Sequence, residues 1–454
     1  MANTYLTKTS SSTGNNTKST FSAWVKRSDI SSNYPRLVSI LPSANNGLEI
    51  FFRNTDTLEI KVKFNSATRA NLQTTRLFRD VNAWYHILVS IDSTSGTADD
   101  RVRLYINGVK ETSFGTRINP DQDANMKINA SGETFQIGAE VGGSSNNFSG
   151  LLSHVHWIDG TAYDATAFGS TDATTGEWEA KTSPSVTYGT NGFFILKDGN
   201  GITDQSGEGN DFTLGGGTLT DLKDNPDNVF CTMNPLDNQI ASSTFSNGNN
   251  TIVTNNSNYT WNTGTLGASS GKYYWEIKYS ATSGTNYNLI GIADRPTTSS
   301  AAYLGSVTNT SNYGYYSDSG NVYAKNGTST AFGDSYSAGD IIGVSLDLDN
   351  NKLYFSKNGT WQNSGVPTSG ATGTGAVSID AISSTTTGVY FTASGDYGST
   401  QYVTNQHNFG NGYFGTTAIT TNSGNGYAGA EGSSKFNYTV PTGYSALSTK
   451  GLNE

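Results

Sequence analysis

Two carboxylates stand two positions apart at Glu177 and Glu179, within the sequence GEWEAK. Glycoside hydrolases use a pair of carboxyl groups, one as an acid and the other as a nucleophile or base. On one face of a strand this spacing would suit such a pair. However, no third carboxylate follows, and the surrounding segment has the composition of a connection. We therefore expect no catalytic residues here and predict that the protein is not an enzyme.

Groups that could bind a metal are also few. His154 and His156 share one face of a predicted strand, but the sequence identifies no third ligand for them. Three oxygen-bearing residues have the spacing that opens a calcium-binding loop: Asp347, Asp349 and Asn351. The sixth position of that loop requires Gly but is occupied by Lys352. We expect packing roles for the histidines, a hairpin turn for the acidic residues, and neither a metal nor a cofactor.

Short strands are the elements that must position these side chains, because apolar residues recur at every second position over short runs. In LEIKVKFN (58–65) the apolar residues share one face and the charged residues the other. RVRLYING (101–108) ends in Asn107-Gly108, a pair that tolerates the positive φ of a type I′ hairpin turn. The clearest hairpin spans 340–359. Helical periodicity is almost absent, so the sequence predicts an all-β protein.

Composition and charge exclude several functional classes. The 454 residues include 27 Lys and Arg against 37 Asp and Glu, a net charge of −10, with no basic stripe that could neutralise nucleic acid. The N-terminus lacks the apolar core of a signal peptide, and no apolar run approaches the roughly 20 residues of a membrane span. The single cysteine, Cys231, excludes an internal disulfide. We expect no nucleic-acid partner and no membrane insertion.

A Gly- and Asp-rich stretch between 203 and 228 has few alternating apolar positions, which is typical of a connection. Strand patterns resume after it, with YYWEIKYS (273–280) as a strong example. We therefore predict a first domain over 1–202, a connecting segment over 203–234 and a second domain over 235–454.

The first half resembles a laminin-G or concanavalin A-like jelly roll. The resemblance rests on STFSAWVKRS (19–28), NAWYHILVSID (82–92), RVRLYINGV (101–109) and FSGLLSHVHWIDG (148–160). The following stretch, 161–212, resembles a segment of bacteriophage virion proteins, in which such jelly rolls occur in fibres and surface appendages. Because laminin-G jelly rolls sometimes bind calcium through loop oxygens, the resemblance implies three possible donors: Asp121, Asp123 and Asn125.

The second half resembles a SPRY domain, whose recurrent elements occur in order. They are GKYYWEIKY (271–279), LIGIADR (289–295), YGYYSDSG (313–320), GDIIGVSLDLDNNKLYFSKNGTW (339–361) and HNFGN (407–411). The tail, 436–452, is similar to the segment that closes phage and bacterial versions of this domain. The resemblance implies that Glu276 is a structural acid that forms a hydrogen bond within the sheet.

Aromatic side chains are the groups best suited to binding here, since Tyr and Trp offer flat apolar faces to sugar rings and a polar tip to hydroxyl groups. In the SPRY pattern several such residues lie near one another. The candidate ligand-binding residues are Arg295, Tyr313, Tyr315, Tyr316, Tyr323 and Trp361. Strand alternation places Tyr313 and Tyr315 on the face opposite Tyr316, so we expect part of the set to lie in the core.

These observations predict two antiparallel β-sandwiches in tandem, a jelly roll followed by a SPRY sandwich. The resemblances imply a non-enzymatic bacteriophage virion component, such as a tail fibre, spike or head-surface appendage, that binds a host surface glycan or protein. We expect it to contact other virion proteins, to form a homo-oligomer such as a trimer, to assemble in the host cytoplasm and to leave by lysis. Two alternatives stay open: a capsid decoration protein without receptor binding, and a polysaccharide-degrading, glucanase-like enzyme.

Overall fold

The computed structural model describes residues 4–30, 33–43, 46–142, 146–197, 201–238, 242–255, 259–299, 301–398, 400–420, 428–430 and 432–453. The chain divides into two compact units, Met1–Asp221 and Leu222–Glu454, called unit 1 and unit 2 below. Both are built from antiparallel strands, which confirms the predicted all-β class.

Helical segments in the described residues are short. Unit 1 has 3-10 turns at Ala98–Asp100 and Ala165–Ala167, and unit 2 has them at Gln362–Ser364, Pro367–Thr372 and Ile382–Ser384. An α-helical turn, α1, covers Thr449–Leu452. Among all the residues that the structure describes, no helix is both long enough and apolar enough to cross a membrane.

Unit 1 contains two large sheets and a small hairpin. Its strands are β1 (Tyr5–Thr9), β2 (Lys18–Arg27), β3 (Arg36–Ser43), β4 (Asn46–Phe52), β5 (Leu58–Phe64), β6 (Ala67–Thr74), β7 (Trp84–Asp92), β8 (Val102–Ile106), β9 (Val109–Lys110), β10 (Phe114–Ile118), β11 (Thr134–Ile137), β12 (Gly150–Asp159), β13 (Gly169–Thr171), β14 (Trp178–Ala180), β15 (Phe193–Ile195) and β16 (Thr213–Gly216). One sheet has the order β10-β6-β5-β4-β3-β11-β1-β16 and the other the order β15-β12-β2-β7-β8-β9, while β13 pairs with β14.

The apolar faces of these two sheets meet in one core. Ile60 and Val62 of β5 lie in it, as the alternation of LEIKVKFN predicts, and so do Ile87 of β7 and Leu104 of β8. The turn between β8 and β9 is also confirmed, because Asn107 and Gly108 have positive φ angles of 48° and 80°.

Unit 2 repeats the sandwich architecture with different connections. Its strands are β17 (Thr244–Ser246), β18 (Thr251–Val253), β19 (Thr260–Ala268), β20 (Lys272–Thr282), β21 (Asn288–Ala293), β22 (Asn312–Tyr316), β23 (Asn321–Ala324), β24 (Thr328–Ala331), β25 (Ile341–Asp347), β26 (Lys352–Lys357), β27 (Thr360–Trp361), β28 (Val377–Ser378), β29 (Tyr390–Asp396), β30 (Val403–Asn408), β31 (Tyr413–Phe414), β32 (Thr417–Ala418) and β33 (Ser445–Ala446).

A nine-stranded sheet of unit 2 has the order β17-β18-β30-β20-β25-β26-β27, with β28 beside β26 and β33 parallel to β20. A six-stranded sheet has the order β19-β29-β21-β22-β23-β24. The predicted hairpin over 340–359 is β25 and β26, in which Val344 faces Phe355 across the strands. Asp347 accepts a hydrogen bond from the backbone N of Asn350 at 3.0 Å, so the acidic residues there form the predicted turn.

The chain divides between Asp221 and Leu222, inside the segment 203–234 that the sequence predicts to connect the two domains. β16 pairs with β1, and Phe212 lies in the core of unit 1. On the other side, Phe230 and Met233 are fully buried in the core of unit 2. The segment 203–234 is therefore not a free connection but is shared between the two units.

Side-chain hydrogen bonds, rather than alternating apolar residues, order the first part of that segment. Asp204 Oδ1 accepts from the backbone N of Phe194 at 2.8 Å and of Ser206 at 2.9 Å, and its Oδ2 accepts from the backbone N of Asn210 at 2.9 Å. Asp, Ser and Asn favour turns of this kind because their side chains satisfy nearby backbone donors. The composition that indicates a linker here belongs to a folded loop.

Candidate functional site

The predicted binding residues do not come together in one site. Tyr313 and Tyr315 point from β22 into the core of the sandwich, with 3% and 0% of their surface exposed. The hydroxyl of Tyr313 accepts from the backbone N of Asp380 at 2.9 Å, and that of Tyr315 donates to the backbone O of Asp334. Both residues are structural, which corrects their assignment as ligand contacts.

Trp361 also lies elsewhere, because it ends β27 at the edge of the nine-stranded sheet. It is half-buried against the core, and its ring centroid is 6.4 Å from that of Tyr274. Arg295 follows β21 and lines a separate groove, with no tyrosine among the described residues of its lining. Only Tyr316 and Tyr323 of the predicted set contact each other on one face, with 5.5 Å between ring centroids.

These two residues belong to a larger group on the outer face of the six-stranded sheet of unit 2, called the tyrosine cluster below. Its members are Tyr259, Tyr287, Tyr303, Tyr316, Tyr323 and Tyr397. Ring centroids of contacting pairs are separated by 4.3 to 6.4 Å. Tyr397 is central, because its ring contacts all five others. Tyr316 is 5% exposed, while the others are half-buried and present part of their rings to solvent.

The backbone of the sheet and one loop hold these rings in place. Tyr316 and Tyr323 stand on the neighbouring strands β22 and β23, whereas Tyr287 directly precedes β21 and Tyr397 directly follows β29. Because Asn288 faces Asp396 across those last two strands, Tyr287 and Tyr397 become neighbours, with 5.9 Å between centroids. Tyr303 comes from the loop after β21.

Glycines allow that loop to lie flat on the sheet. A Cβ added to Gly314 would come within 3.1 Å of the backbone O of Leu304. Gly305 has a φ of 96°, and a Cβ there would lie 2.6 Å from Cβ of Tyr323. The contact at Gly305 is closer than real Cβ atoms show, so this position requires glycine, whereas a side chain at Gly314 would press on the loop at a tight distance. The loop thereby brings Tyr303 to 5.4 Å from Tyr323, measured between ring centroids.

Three tyrosines of the cluster have raised pKa values. Burial and the neighbouring phenols raise the pKa of Tyr303 to about 12. Burial likewise raises the pKa values of Tyr316 and Tyr323 above their usual range. These three hydroxyl groups therefore remain protonated at physiological pH and can both donate and accept hydrogen bonds. Such a surface suits a ligand with apolar C–H faces and hydroxyl groups.

Sequence reasoning missed four members of the cluster, Tyr259, Tyr287, Tyr303 and Tyr397. Each lies just outside a strand or in a loop, where alternation carries no signal. A tyrosine immediately before or after a predicted strand is the available sequence clue, because ring stacking across strand ends needs residues at those positions. The strand pairing that joins them is not encoded locally.

The residues considered for catalysis or metal binding have other surroundings. Glu177 directly precedes β14 and Glu179 lies within it, and both side chains are exposed on either side of Trp178. His156 is buried, stacks on Phe194 with centroids 3.9 Å apart, and its Nδ1 lies 3.0 Å from the hydroxyl of Tyr188. This packing role agrees with the prediction.

The proposed calcium donors of the first half lie on the surface. Asp121 is 3.9 Å from Arg69, and Asn125 Oδ1 accepts from the backbone N of Lys127 at 3.0 Å. In the described residues, no group of three or more His, Cys, Asp or Glu side chains could hold a metal ion.

Two family models match the chain. The model of the concanavalin A-like lectin/glucanases superfamily, Laminin_G_3, matches residues 1–166, and that of the SPRY domain matches residues 272–396. Each match lies within one of the two sandwich units.

Curated relatives match over a short region. Ran-binding protein 9 of Danio rerio is 29% identical over 92 residues, which are 20% of this chain and 15% of that protein. Ran-binding protein 9 of Homo sapiens is 29% identical over 92 residues, 20% of this chain and 12% of that protein. The chain thus spans less than a sixth of the length of these two relatives.

Solved structures resemble part of the chain at low identity. The SPRY domain of human HERC1 has a TM-score of 0.31 and 17% identity and covers 38% of this chain and 96% of that one. Stonustoxin has a TM-score of 0.27 and 18% identity and covers 39% of this chain and 27% of that one. The two family matches and the two β-sandwiches together show that the chain carries a concanavalin A-like domain followed by a SPRY domain.

Proposed function

We propose that this chain is a non-enzymatic component of a bacteriophage virion and that it attaches the particle to a neutral glycan on the host surface through the tyrosine cluster. The observation that carries the proposal is the cluster itself, in which five half-exposed tyrosines and the buried Tyr316 pack together with Tyr397 at the centre. Stacked phenol faces offer contacts to the C–H faces of sugar rings, and the phenol hydroxyls offer hydrogen bonds to sugar hydroxyls.

The virion context is supported by the sequence of 161–212, which resembles a segment of phage virion proteins. Within this proposal the protein assembles with other virion proteins in the host cytoplasm and leaves by lysis. Stacking and a few hydrogen bonds give weak affinity at one site. A homo-oligomer such as a trimer would raise the overall affinity through effective concentration, so weak sites would hold a particle on a cell.

Binding of the full chain to an array of neutral host glycans tests the site. We expect Tyr397→Ala and Tyr303→Ala to weaken binding about fivefold, because each removes one stacking face worth about 1 kcal/mol. Tyr402→Ala is the matched control, since Tyr402 is an exposed tyrosine (37%) outside the cluster. Each variant must keep the wild-type melting temperature. Wild-type affinity in both cluster variants, or equal loss in the control, would refute the site.

The place of the protein in the particle tests the wider role. Labelled antibodies on intact particles should locate the chain at a tail fibre, spike or appendage. An even distribution over the capsid would instead favour a decoration protein. Incubation with host exopolysaccharide should release no reducing ends, and release that disappears in Glu177→Gln or Glu179→Gln would establish the glucanase-like alternative.

A further inference from the structure

A groove of about 470 Å³ lies in unit 2 between segments 234–237 and 295–298. Segment 234–237 comes from the start of the unit and is fixed to β19, because the backbone N of Asn234 donates to the backbone O of Thr263 at 2.9 Å. Segment 295–298 begins the loop after β21. Both walls are therefore anchored to strands of the six-stranded sheet.

Arg295 is a charged group of this groove, and no described residue of the protein pairs with it. It is half-buried and forms no ion pair or hydrogen bond with another described residue. It is also the sole arginine in residues 222–454. Several lysines of the same unit are paired, as in Lys272 with Asp347 at 3.2 Å and Lys357 with Asp340 at 3.6 Å. A half-buried guanidinium without a carboxylate is suited to an anion supplied by a ligand, which it can bind through two parallel N–H groups.

The remaining lining adds apolar and accepting groups. Leu236 is 45% exposed, and Pro296 beside Arg295 is also exposed. Asp237 Oδ2 accepts from the backbone N of Thr263 at 2.8 Å and from its Oγ1 at 2.6 Å. Asp237 Oδ1 has no hydrogen-bond partner among the described residues. The groove thus offers one cation, one carboxylate oxygen and an apolar wall.

We propose that this groove binds a saccharide that carries a carboxylate, such as a hexuronic acid residue. The carboxylate pairs with Arg295, a ring hydroxyl donates to Asp237 Oδ1, and the C–H face of the ring packs on Leu236 and Pro296. A phosphate group fits less well, because its greater negative charge would face Asp237 with a single cation to balance it. The site is distinct from the tyrosine cluster and takes a ligand of different charge.

Titration calorimetry of the full chain tests the proposal by comparing two ligands of nearly the same shape, oligogalacturonate and its methyl ester. We expect binding of the acid and at least tenfold weaker binding of the ester. Arg295→Gln should lose the same factor for the acid, and Arg295→Lys should lose part of it, because an ammonium group cannot bind a carboxylate bidentately. Leu236→Ser should weaken binding severalfold.

Lys278→Gln is the matched control, since it removes the same charge from β20 in the other sheet of the unit. Melting temperatures should be unchanged, because Arg295 has no partner to lose. Tyr397→Ala should leave binding of the acid unaffected, which separates this site from the tyrosine cluster. The proposal is wrong if the acid does not bind at millimolar concentration, if the ester binds equally well, or if Arg295→Gln binds like wild type. Displacement by equimolar inorganic phosphate would identify a phosphate site instead.

Discussion

At the scale of single residues, Glu276 shows how a buried acid can hold a fold together. This carboxyl group on β20 accepts hydrogen bonds from the backbone N of Asn437 at 2.8 Å and of Tyr438 at 2.7 Å, and from Nδ2 of Asn408 at 3.3 Å. The hydroxyl of Tyr274 donates to it at 3.1 Å. The carboxyl group therefore binds the C-terminal segment to β20, and burial raises its pKa to about 7.

The raised pKa of Glu276 predicts a pH-dependent stability. The ordinary pKa of this group is 4.5, so its contribution to the free energy of unfolding is fully present below pH 4.5. About 3 kcal/mol of that free energy is lost as the pH rises through about 7. Glu276→Gln cannot ionise, but it gives up an acceptor and should lower the free energy of unfolding by about 1–3 kcal/mol at low pH. Because only the wild type loses about 3 kcal/mol between pH 4.5 and 8, its advantage over the variant should vanish or reverse over this range.

Denaturant unfolding of the full chain over this pH range measures that difference. Asp318→Asn is the control, because Asp318 is exposed in the same unit and its replacement should give a small, constant difference. A Glu276→Gln effect that does not change with pH would contradict the prediction.

At the scale of elements, both faces of several strands are covered. In unit 1 the β13–β14 hairpin lies over the outer face of the six-stranded sheet. Nε1 of Trp178 donates to Nδ1 of His86 at 3.0 Å, and the two rings stack with centroids 5.9 Å apart. A Cβ added to Gly108 or Gly169 would lie 2.5 or 2.4 Å from the Trp178 ring, so the absence of these side chains makes room for it. Under this cover, burial lowers the pKa of His86 to about 3.

Mutation of Trp178 tests whether the β13–β14 hairpin keeps water away from His86. Trp178→Ala should lower the free energy of unfolding of unit 1 by about 2–3 kcal/mol, because a large ring leaves a cavity. Water would then reach His86, and its pKa should rise towards the usual value of about 6.5. An NMR titration of the His86 ring protons measures the shift. Trp178→Phe keeps a ring without the donor and should change the pKa less. A His86 that stays neutral at pH 5 in the alanine variant would show that the hairpin does not control its hydration.

At the scale of the whole molecule, each unit has its own sandwich core. The core of unit 1 includes Phe212, and that of unit 2 includes Phe230, Cys231 and Met233. These residues lie in the segment that the sequence predicts to be a connection. Since a unit with a complete core can fold alone, the position of the cut decides whether the two halves are stable.

Expression of the separate units tests this boundary. Fragments 1–221 and 222–454 should each give a cooperative melt and a β-type circular dichroism spectrum. Fragments 1–202 and 235–454 are the matched controls, and they should melt at lower temperatures or not fold. The first lacks β16 and Phe212, and the second lacks three fully buried core residues. Equal stability of the shorter fragments would show that neither sandwich needs the residues of 203–234 for its stability.

The sequence by itself determined the features that depend on near neighbours. The strands of LEIKVKFN and RVRLYING, the turn at Asn107-Gly108 and the hairpin over 340–359 follow from alternation and turn chemistry within a few residues. The second domain is identified instead by the resemblance of its ordered motifs to a SPRY domain, and the matching family model covers 272–396.

Only the tertiary structure decided which tyrosines form a surface. Alternation separates Tyr315 from Tyr316, but every residue of β22 is buried, so the pattern cannot say which face meets the core and which lies under a loop. Tyr287 and Tyr397 are distant in the chain and become neighbours because β21 pairs with β29 in one register. Strand pairing joins residues without regard to their separation in sequence, and for that reason the tyrosine cluster and the groove at Arg295 emerge only from the folded chain.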